Sequence, residues 1–174
     1  MSQHIVVIGA VALGPKAACR FKRLEPGAQV TMIDRSDLIS YGGCGIPYYV
    51  GGEVSEAMQL RTTSFHMVRD EESFKETKGV DVLTRTEATA IDRKAKKVRV
   101  KDLASGEERS LEYDKLVMAT GATPRRLPIE GEELEGVHYV SNPHDATEIR
   151  EAVTKGQVER AVILAQTRTV GPEL

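Results

Sequence analysis

The feature that most constrains the fold is a short glycine-bounded segment near the N-terminus, placed between an apolar run and an amphipathic one. His4 to Gly9 is rich in β-branched residues, which favour a strand, and Gly14 closes the segment. Pro15 suits the first turn of a helix, and Glu25-Pro26-Gly27 stops that helix. A strand, a glycine turn and a helix are therefore predicted, as in α/β proteins.

A second apolar strand, Val30 to Ile33, ends at Asp34, so residues 4–34 are expected to form one βαβ unit with a right-handed crossover. Further on, the hydrophobic period changes to two, and three short segments separated by turn-like residues predict an antiparallel meander. These segments are Glu87 to Ile91, Lys97 to Lys101 and Arg109 to Tyr113. The predicted fold class is α/β, with a Rossmann-like parallel sheet and an inserted three-stranded antiparallel meander.

The hydrophobic period and the residue composition of each segment predict the remaining secondary-structure elements. Residues 64–78 are expected to be helical in part, and the glycine-rich stretch 40–52 is expected to be a loop outside the core. A buried parallel strand, a loop with Pro and Gly, a helix and a last strand follow. In chain order these are Lys115 to Ala119, Thr120 to Gly136, Asp145 to Val153 and Ala161 to Leu164.

The length and the charge of the chain exclude several functional classes. A chain of 174 residues corresponds to one domain with at most a short appendage. The 24 Lys and Arg residues against 26 Asp and Glu residues give a net charge of −2, and no long run of one sign indicates a nucleic-acid or membrane partner. The longest apolar stretch, Ile5 to Leu13, is too short to cross a bilayer and lacks the basic flank of a signal peptide, so a cytoplasmic protein is expected.

The glycine segment also predicts a nucleotide site. Gly9 and Gly14 occupy the first and third positions of a G-x-G-x-x-G pattern whose second position is Val11. Asp34 lies 20 residues after Gly14, where a carboxylate at the end of the second strand can accept hydrogen bonds from ribose hydroxyls. The alternatives are a glycine-rich turn in some other α/β protein and a plain surface acid. Together the two features favour a dinucleotide.

The only two cysteines, Cys19 and Cys44, are 25 residues apart and do not form a CxxC motif. We expect neither a structural disulfide nor a Cys-rich zinc site, and no other metal site is predicted. Cys19 lies inside the first helix and is most simply a packing residue. Cys44 stands among glycines just before Ile46-Pro47, where a helix can begin, so unpaired N–H groups would stabilise its thiolate. A thiol without a chemical role is the alternative for Cys44.

Four segments together resemble one enzyme family. They are Gly9-Ala-Val-Ala-Leu-Gly14, Asp34-Arg35, Ser40-x-x-x-Cys44-Gly-Ile-Pro-Tyr-Tyr-Val-Gly-Gly52 and Asp114-Lys-Leu-Val-Met-Ala-Thr-Gly-Ala-Thr-Pro124. The sequence resembles the single-cysteine pyridine nucleotide-disulfide oxidoreductases. Within them it looks most like coenzyme A-disulfide reductases and the related NADH oxidases and NADH-dependent persulfide or polysulfide reductases. The resemblance covers Ile5 to about Val153 and implies a glutathione reductase-like, FAD/NAD(P)-binding fold.

The resemblance implies FAD as the bound cofactor and NAD(P)H as the reductant of the full enzyme. The FAD pyrophosphate would lie over the glycine segment, with the ribose on Asp34 and the adenosine beside Arg35. Cys44 would be the catalytic residue near the isoalloxazine ring, and electrons would pass from NAD(P)H through the flavin to a mixed disulfide, sulfenic acid or persulfide. No second cysteine is close in sequence, so a resolving thiol comes from outside the chain. The implied cofactor-binding positions are Gly9, Val11, Ala12, Gly14, Asp34, Arg35, Ala119, Thr120 and Gly121.

The first helix is the implied site for coenzyme A or another small thiol or disulfide. Its basic residues are Lys16, Arg20, Lys22 and Arg23. The resemblance points to Arg20 and Arg23 as contacts to phosphates, because Arg binds phosphate through two parallel N–H bonds. A solvated basic helix face is the alternative. The implied substrate-binding positions are Lys16, Arg20, Arg23, Ser40 and Gly43.

Two features depart from the family pattern. Gly43 occupies the position before the cysteine where the coenzyme A-disulfide reductases usually have Asn. The identity of the substrate therefore does not follow from the resemblance. Near the C-terminus, Ala165, Gln166 and Thr167 stand where the family's NAD-binding strand has glycines.

Tyr48 and Tyr49 either line a channel to the thiol or pack, and the sequence does not separate these roles.

The expected domains are residues 1–153, the first segment of an FAD-binding domain, and residues 154–174, the start of a truncated or degenerate NAD-binding domain. The chain is expected to be part of a longer, homodimeric enzyme, and a short protein that keeps only the flavin and thiol region is the alternative. The expected function is reduction of coenzyme A disulfide, persulfide or a related small disulfide. An NADH oxidase or peroxidase, a non-catalytic redox sensor and a plain NAD-binding protein are the alternatives.

Overall fold

The computed structural model describes residues 2–164, which form a parallel four-stranded sheet, an antiparallel three-stranded sheet and four α-helices. The strands are β1 His4–Ile8, β2 Gln29–Ile33, β3 Asp81–Leu83, β4 Thr86–Asp92, β5 Lys97–Asp102, β6 Glu108–Glu112 and β7 Lys115–Met118. The helices are α1 Leu13–Leu24, α2 Ile46–Gly51, α3 Glu71–Lys78 and α4 Pro143–Thr154. Two 3₁₀ turns, Gly43–Gly45 and Ala57–Arg61, flank α2.

β1 lies inside the parallel sheet, whose strand order is β3-β2-β1-β7, and pairs with both β2 and β7. Alternate side chains of β1 enter different layers. Ile5 and Val7 belong to a buried cluster with residues of α1 and α3, whereas Val6 and Ile8 pack against the meander formed by β4, β5 and β6. Because both faces of β1 are covered, the strand is apolar from Ile5 to Ile8.

The predicted βαβ unit of residues 4–34, the antiparallel meander and the parallel strand at Lys115 are confirmed. The sequence did not reveal β3, the edge strand beside β2. Its three residues are all half-buried, and so short a segment shows no hydrophobic period.

Side-chain caps place the beginnings of two helices. The helix expected within residues 64–78 is confined to α3, because the Asp70 carboxylate accepts a hydrogen bond from the Ser73 N–H. α4 begins two residues before the predicted Asp145, because Asn142 caps its first turn and Pro143 fits there. None of the helices between residues 2 and 164 is both long enough and apolar enough to span a bilayer.

The glycine-rich stretch 40–52 is more than a loop. It contains α2, whose residues Ile46 and Tyr49 are buried in a third apolar cluster with Leu60 and with Ala146 of α4. The prediction that the whole stretch lies outside the core is therefore wrong for α2. The beginning of a helix at Ile46-Pro47 agrees with the sequence, but two apolar residues three positions apart are too few to show that one face of that helix is buried.

The strand predicted at Ala161 to Leu164 is also wrong. These residues have no regular structure, and the side chains of Val162, Ile163 and Leu164 are 83%, 86% and 71% exposed. A strand needs a neighbour to pair its N–H and C=O groups, and no strand of residues 2–164 lies beside this segment. Residues 165–174, with the positions compared above with the family's NAD-binding strand, lie outside the described residues.

A polar contact joins the beginning of α4 to the loop after β2. His144 Nε2 lies 2.7 Å from Asp37 Oδ1, and Arg85 Nη2 lies 3.9 Å from Asp37 Oδ2. The hydrogen bond from His144 is the main reason why the pKa of Asp37 lies below its usual value, and partial burial acts in the opposite direction. The ionised form of Asp37 therefore stabilises the folded state.

We expect Gly14→Ala to lower the free energy of unfolding by about 3 kcal/mol or more, because its Cβ would overlap the carbonyl group of Gly9. Gly27→Ala is the matched control, since a Cβ there meets nothing within 4 Å. Urea denaturation of the two variants measures the difference. A Gly14→Ala protein as stable as the Gly27→Ala protein contradicts this packing.

We also expect the stability contributed by Asp37 to depend on pH. The carboxyl group has a lower pKa in the folded state than the usual value of about 3.9, so its contribution is present above about pH 4 and is lost as the pH falls through the folded-state pKa. Urea denaturation between about pH 2 and pH 5 measures this loss. Asp37→Asn and His144→Ala should both flatten the dependence, and a slope unchanged in both variants rules out the contact.

Candidate functional site

Three connections meet at the carboxyl edge of the parallel sheet, where ligands bind in open α/β folds. They follow β1, β2 and β7. The Gly9 N–H donates to the Ile33 carbonyl at 2.8 Å, and the Ala119 N–H donates to the Ile8 carbonyl at 2.7 Å. These two bonds place the glycine segment between the ends of β2 and β7.

Asp34 fixes the glycine segment from the end of β2. Its Oδ2 accepts a hydrogen bond from the Ala10 N–H at 2.7 Å, and its Oδ1 accepts one from the Ser36 N–H at 2.9 Å. Each carboxylate oxygen has a second acceptor position. Asp34 therefore has a structural role, and accepting from a ribose hydroxyl as well is compatible with it.

The beginning of α1 is suited to an anion. Within residues 2–164, no side chain caps its first turn, and that turn contains no acidic residue. Val11 is half-buried and Ala12 is exposed. The first N–H groups of a helix carry partial positive charge and bind phosphate well. The pyrophosphate of a dinucleotide fits this turn.

Close backbone approach explains two of the glycines at this edge. Gly9 has a φ of +106°, and a Cβ there would overlap the carbonyl group of Ala119. Gly121 has a φ of +67° and is exposed, as are Thr120 and Arg35. The predicted cofactor-binding residues are thus brought to one edge of the sheet, and their contacts to a cofactor stay a prediction.

Cys44 is exposed and lies in the 3₁₀ turn Gly43–Gly45, directly before α2. The turn is held by a hydrogen bond from the Gly45 N–H to the Gly42 carbonyl at 2.9 Å, and the Gly42 N–H donates to the Leu60 carbonyl at 2.7 Å. The predicted thiol before a helix is therefore confirmed in its placement. Its redox role stays a prediction.

Ser40 connects the Cys44 segment to the glycine segment. Its N–H donates to the Ala10 carbonyl at 2.8 Å, so Ala10 is bonded to both Asp34 and Ser40. Ser40 is buried and has a φ of +51°. Residues other than glycine rarely adopt this left-handed conformation, and those that do are often found at functional sites. Arg69 supports this bend by donating to the Ser40 carbonyl at 3.0 Å, a contact that no local sequence pattern indicates.

The exposed basic residues of α1 follow one face of the helix. Lys16, Arg20 and Arg23 are three or four positions apart and exposed. Lys22 lies on the same helix and is half-buried. Its Nζ already donates to the Ala28 carbonyl at 2.6 Å, which distinguishes it from the three exposed cations.

A cavity of about 270 Å³ between α1 and α3 adds a cation that the sequence did not reveal. Its lining residues are Cys19, Lys22, Arg23, Thr77 and Lys78. Arg23 and Lys78 thus face the same space, whereas Lys16, Arg20 and Ser40 do not line it. The sequence does not indicate that Lys78 shares a cavity with Arg23, because Lys78 is distant from α1 along the chain.

Cys19 is half-buried and packs against the apolar cluster beneath α1, as predicted. Burial raises the pKa of the Cys19 thiol, while the charges of Lys78 and Arg23 partly oppose this rise. Both cysteines lie in the described part of the chain, and both are free thiols. Residues 2–164 contain no group of three His, Cys, Asp or Glu side chains arranged to hold a metal ion.

Comparison with known proteins agrees with this geometry. The sequence matches the pyridine nucleotide-disulphide oxidoreductase family over residues 3–164. It is 38% identical over 164 residues to the NAD(P)H coenzyme A polysulfide/persulfide reductase of Pyrococcus horikoshii, a match that covers 94% of this chain and 34% of that protein. It is 35% identical to the NADH oxidase of Lactococcus lactis, covering 92% of this chain and 34% of that protein.

A solved structure shows that this similarity extends to the three-dimensional fold. The NAD-dependent persulfide reductase from A. fulgidus matches with a TM-score of 0.85 and 46% identity, covering 88% of this chain and 28% of that chain. The predicted fold class and family resemblance are confirmed. The chain spans about a third of the length of the curated relatives named above. It belongs to the pyridine nucleotide-disulphide oxidoreductases, a family of enzymes that use FAD and NAD(P)H.

Proposed function

We propose that this chain is the FAD-binding and thiol-bearing portion of an enzyme that reduces coenzyme A disulfide, persulfide or a related small disulfide with NAD(P)H. The observation that carries the proposal is the hydrogen bond from Ser40 to Ala10, which joins the exposed Cys44 segment to the glycine segment. A thiol and a nucleotide-binding turn are thereby built into one unit. The relative from Pyrococcus horikoshii has a name that specifies such a reaction.

The FAD site uses the carboxyl edge of the parallel sheet. Gly9, Val11, Ala12 and Gly14 receive the pyrophosphate at the beginning of α1, where N–H groups are available. Asp34 would accept from the ribose with its remaining acceptor positions, and Arg35 would lie beside the adenosine. Ala119, Thr120 and Gly121, at the end of β7, would hold the cofactor from that side. FAD, when bound, relays electron pairs from NAD(P)H to the redox centre.

Cys44 acts as the nucleophile. Its thiolate attacks one sulfur of a disulfide, the old S–S bond breaks, a mixed disulfide forms on Cys44, and the other sulfur leaves as a thiolate that takes a proton from water. Gly43 adds no side chain beside the sulfur, and a Cβ there would meet nothing within 4 Å. A disulfide with a long substituent can therefore approach.

The phosphates of coenzyme A require cations. Arg23 and Lys78 face one cavity, and Lys16 and Arg20 continue the basic face of α1 towards its beginning. Arg presents two parallel N–H donors to phosphate, and Lys presents a point charge. Ser40 contributes through its backbone bend, which holds the segment that leads to Cys44.

The proposed enzyme is longer than this chain, which spans about a third of the length of the curated relatives named above. In this proposal, residues 1–153 are the first segment of the FAD-binding domain, and residues 154–174 are the start of a truncated or degenerate NAD-binding domain. A cytoplasmic homodimer is the proposed assembly. A second candidate function, an NADH oxidase, is favoured by the relative from Lactococcus lactis. Oxygen consumption without a thiol substrate distinguishes it from a disulfide reductase.

We expect the reduced protein to form one adduct with coenzyme A disulfide, located on Cys44. Intact-mass analysis and peptide mapping detect the adduct, and release of one coenzyme A per chain follows from the exchange. Cys44→Ser should abolish the adduct, and Cys19→Ser, the matched control, should retain it. Modification of Cys19 instead, or no adduct in the unchanged protein, contradicts the proposal.

We expect Arg23→Met and Lys78→Met to slow this exchange about tenfold each, because each loses a charged contact to phosphate. The rate with hydroxyethyl disulfide, which has no phosphate, should stay unchanged. Lys94→Met controls for the loss of one positive charge, since Lys94 lies in the exposed turn between β4 and β5. Equal slowing with both disulfides means that these residues do not bind phosphate.

A further inference from the structure

Arg69 joins two segments that are distant along the chain. Its Nη1 donates a hydrogen bond to the Ser40 carbonyl at 3.0 Å, and its Nη2 donates one to the Thr62 carbonyl at 3.1 Å. A planar guanidinium group can hold two oxygens at once, whereas the ammonium group of Lys is a point charge. Arg69 thus bridges the segment that leads to Cys44 and the residue that follows the second 3₁₀ turn.

The backbone of Arg69 is itself held on both sides. Its N–H donates to the Arg61 carbonyl at 2.9 Å, beside an antiparallel bridge between Thr62 and Val68. The next residue, Asp70, caps the beginning of α3. Arg69 is half-buried, where hydrogen bonds are stronger than in water. The guanidinium group is therefore presented to the two carbonyls from a fixed position.

Ser40 makes the bend that needs this support. Its φ of +51° lies in the left-handed region, which costs free energy for a residue with a Cβ and persists only where the surroundings impose it. Two bonds impose it here, because the Ser40 N–H donates to the Ala10 carbonyl at 2.8 Å and the Ser40 carbonyl accepts from Arg69. Without the second bond, Ser40 can relax to an ordinary conformation and its N–H turns away from Ala10.

The glycine segment does not depend on Arg69 in the same way. The Ala10 N–H donates to Asp34 Oδ2 at 2.7 Å, a contact made from the end of β2. The Gly42 N–H donates to the Leu60 carbonyl at 2.7 Å, which attaches the Cys44 segment to the second 3₁₀ turn rather than to the glycine segment. Loss of the bond from Ser40 therefore separates the two parts of the candidate site while each keeps its own support.

We propose that Arg69 is a positioning residue that holds the Cys44 segment against the FAD site, an inference that rests on the proposed FAD site and the proposed redox role of Cys44. By keeping Ser40 in its left-handed conformation, Arg69 keeps the bond from Ser40 to Ala10 closed. It acts through the backbone of Ser40 and not on the sulfur. Its removal should leave FAD binding intact and weaken the coupling between the flavin and the thiol.

Hydrogen exchange at single amides, recorded by NMR on the full chain, tests the first step. We expect Arg69→Met to lower the protection of the Ser40 amide about tenfold or more, because one charge-assisted hydrogen bond is lost. The Ala10 amide, which Asp34 holds, should keep its protection. Arg61→Met is the matched control, because Arg61 is also half-buried but lines a cavity against α4. Equal protection of the Ser40 amide in Arg69→Met and Arg61→Met overturns the inference.

Two further variants separate the bend from general support of the fold. Arg69→Lys keeps one donor and should recover part of the protection. Adding Ser40→Gly to Arg69→Met should also restore protection at residue 40, because glycine adopts the left-handed conformation without strain. If the double variant is as unprotected as Arg69→Met alone, the loss does not run through the bend, and the inference fails.

The second step is measured on the flavin. FAD is bound to the chain, Cys44 is alkylated, and FAD affinity and the change in flavin fluorescence are recorded. We expect Arg69→Met to bind FAD with unchanged affinity and to lose most of the fluorescence response, whereas Arg61→Met should keep both. An unchanged response in Arg69→Met contradicts the positioning role. So does an equal loss of FAD affinity, because Arg69 then supports the glycine segment as well.

The two proposals fail separately. If the unchanged protein retains no FAD, or if its flavin does not respond to alkylation of Cys44, the proposed function fails, and the protection of the Ser40 amide still decides whether Arg69 holds the bend. If the unchanged protein responds and Arg69→Met responds equally, the proposed function stands and Arg69 has no positioning role.

Discussion

The backbone of Ala10 joins the two parts of the candidate site. Its N–H donates to the Asp34 carboxylate, and its carbonyl accepts from the Ser40 N–H. The first bond fixes the glycine segment against the end of β2, and the second fixes the segment that leads to Cys44 against the glycine segment. The thiol and the glycine segment consequently occupy defined positions relative to each other, as the proposed electron transfer between flavin and Cys44 would require.

Packing on both faces of β1 holds the backbone of Ala10 in place. The alternate residues of β1 enter two different buried clusters, so the strand that delivers Ala10 is held by helices on one face and by the meander on the other. The Cys44 segment is held in a different way. It depends on α2, which a third cluster and Arg150 attach to α4. The two parts of the site are therefore stabilised by different layers of the fold, and within residues 2–164 their only direct backbone hydrogen bond is the one at Ala10.

Local patterns made much of this predictable. The βαβ unit follows from β-branched runs around Gly9 and Gly14, and the meander follows from alternation in short segments. Contacts between distant residues were not predictable. The bend at Ser40 requires Ala10 and Arg69, Lys78 joins Arg23 only through the packing of α3 on α1, and Arg150 meets Tyr49 across 101 positions. The strand expected at residues 161–164 fails for the same reason, because apolar composition does not supply a neighbouring strand.

The proposed site is tested most directly by asking whether Cys44 lies against bound flavin. The chain is loaded with FAD, unbound FAD is removed, and the absorbance and fluorescence of the flavin are recorded before and after alkylation of Cys44. We expect stoichiometric FAD and a clear change in flavin fluorescence when Cys44 is alkylated, with no change when the same reagent is applied to Cys44→Ser. Failure to retain FAD, or a flavin spectrum indifferent to alkylation of Cys44, contradicts the proposed site.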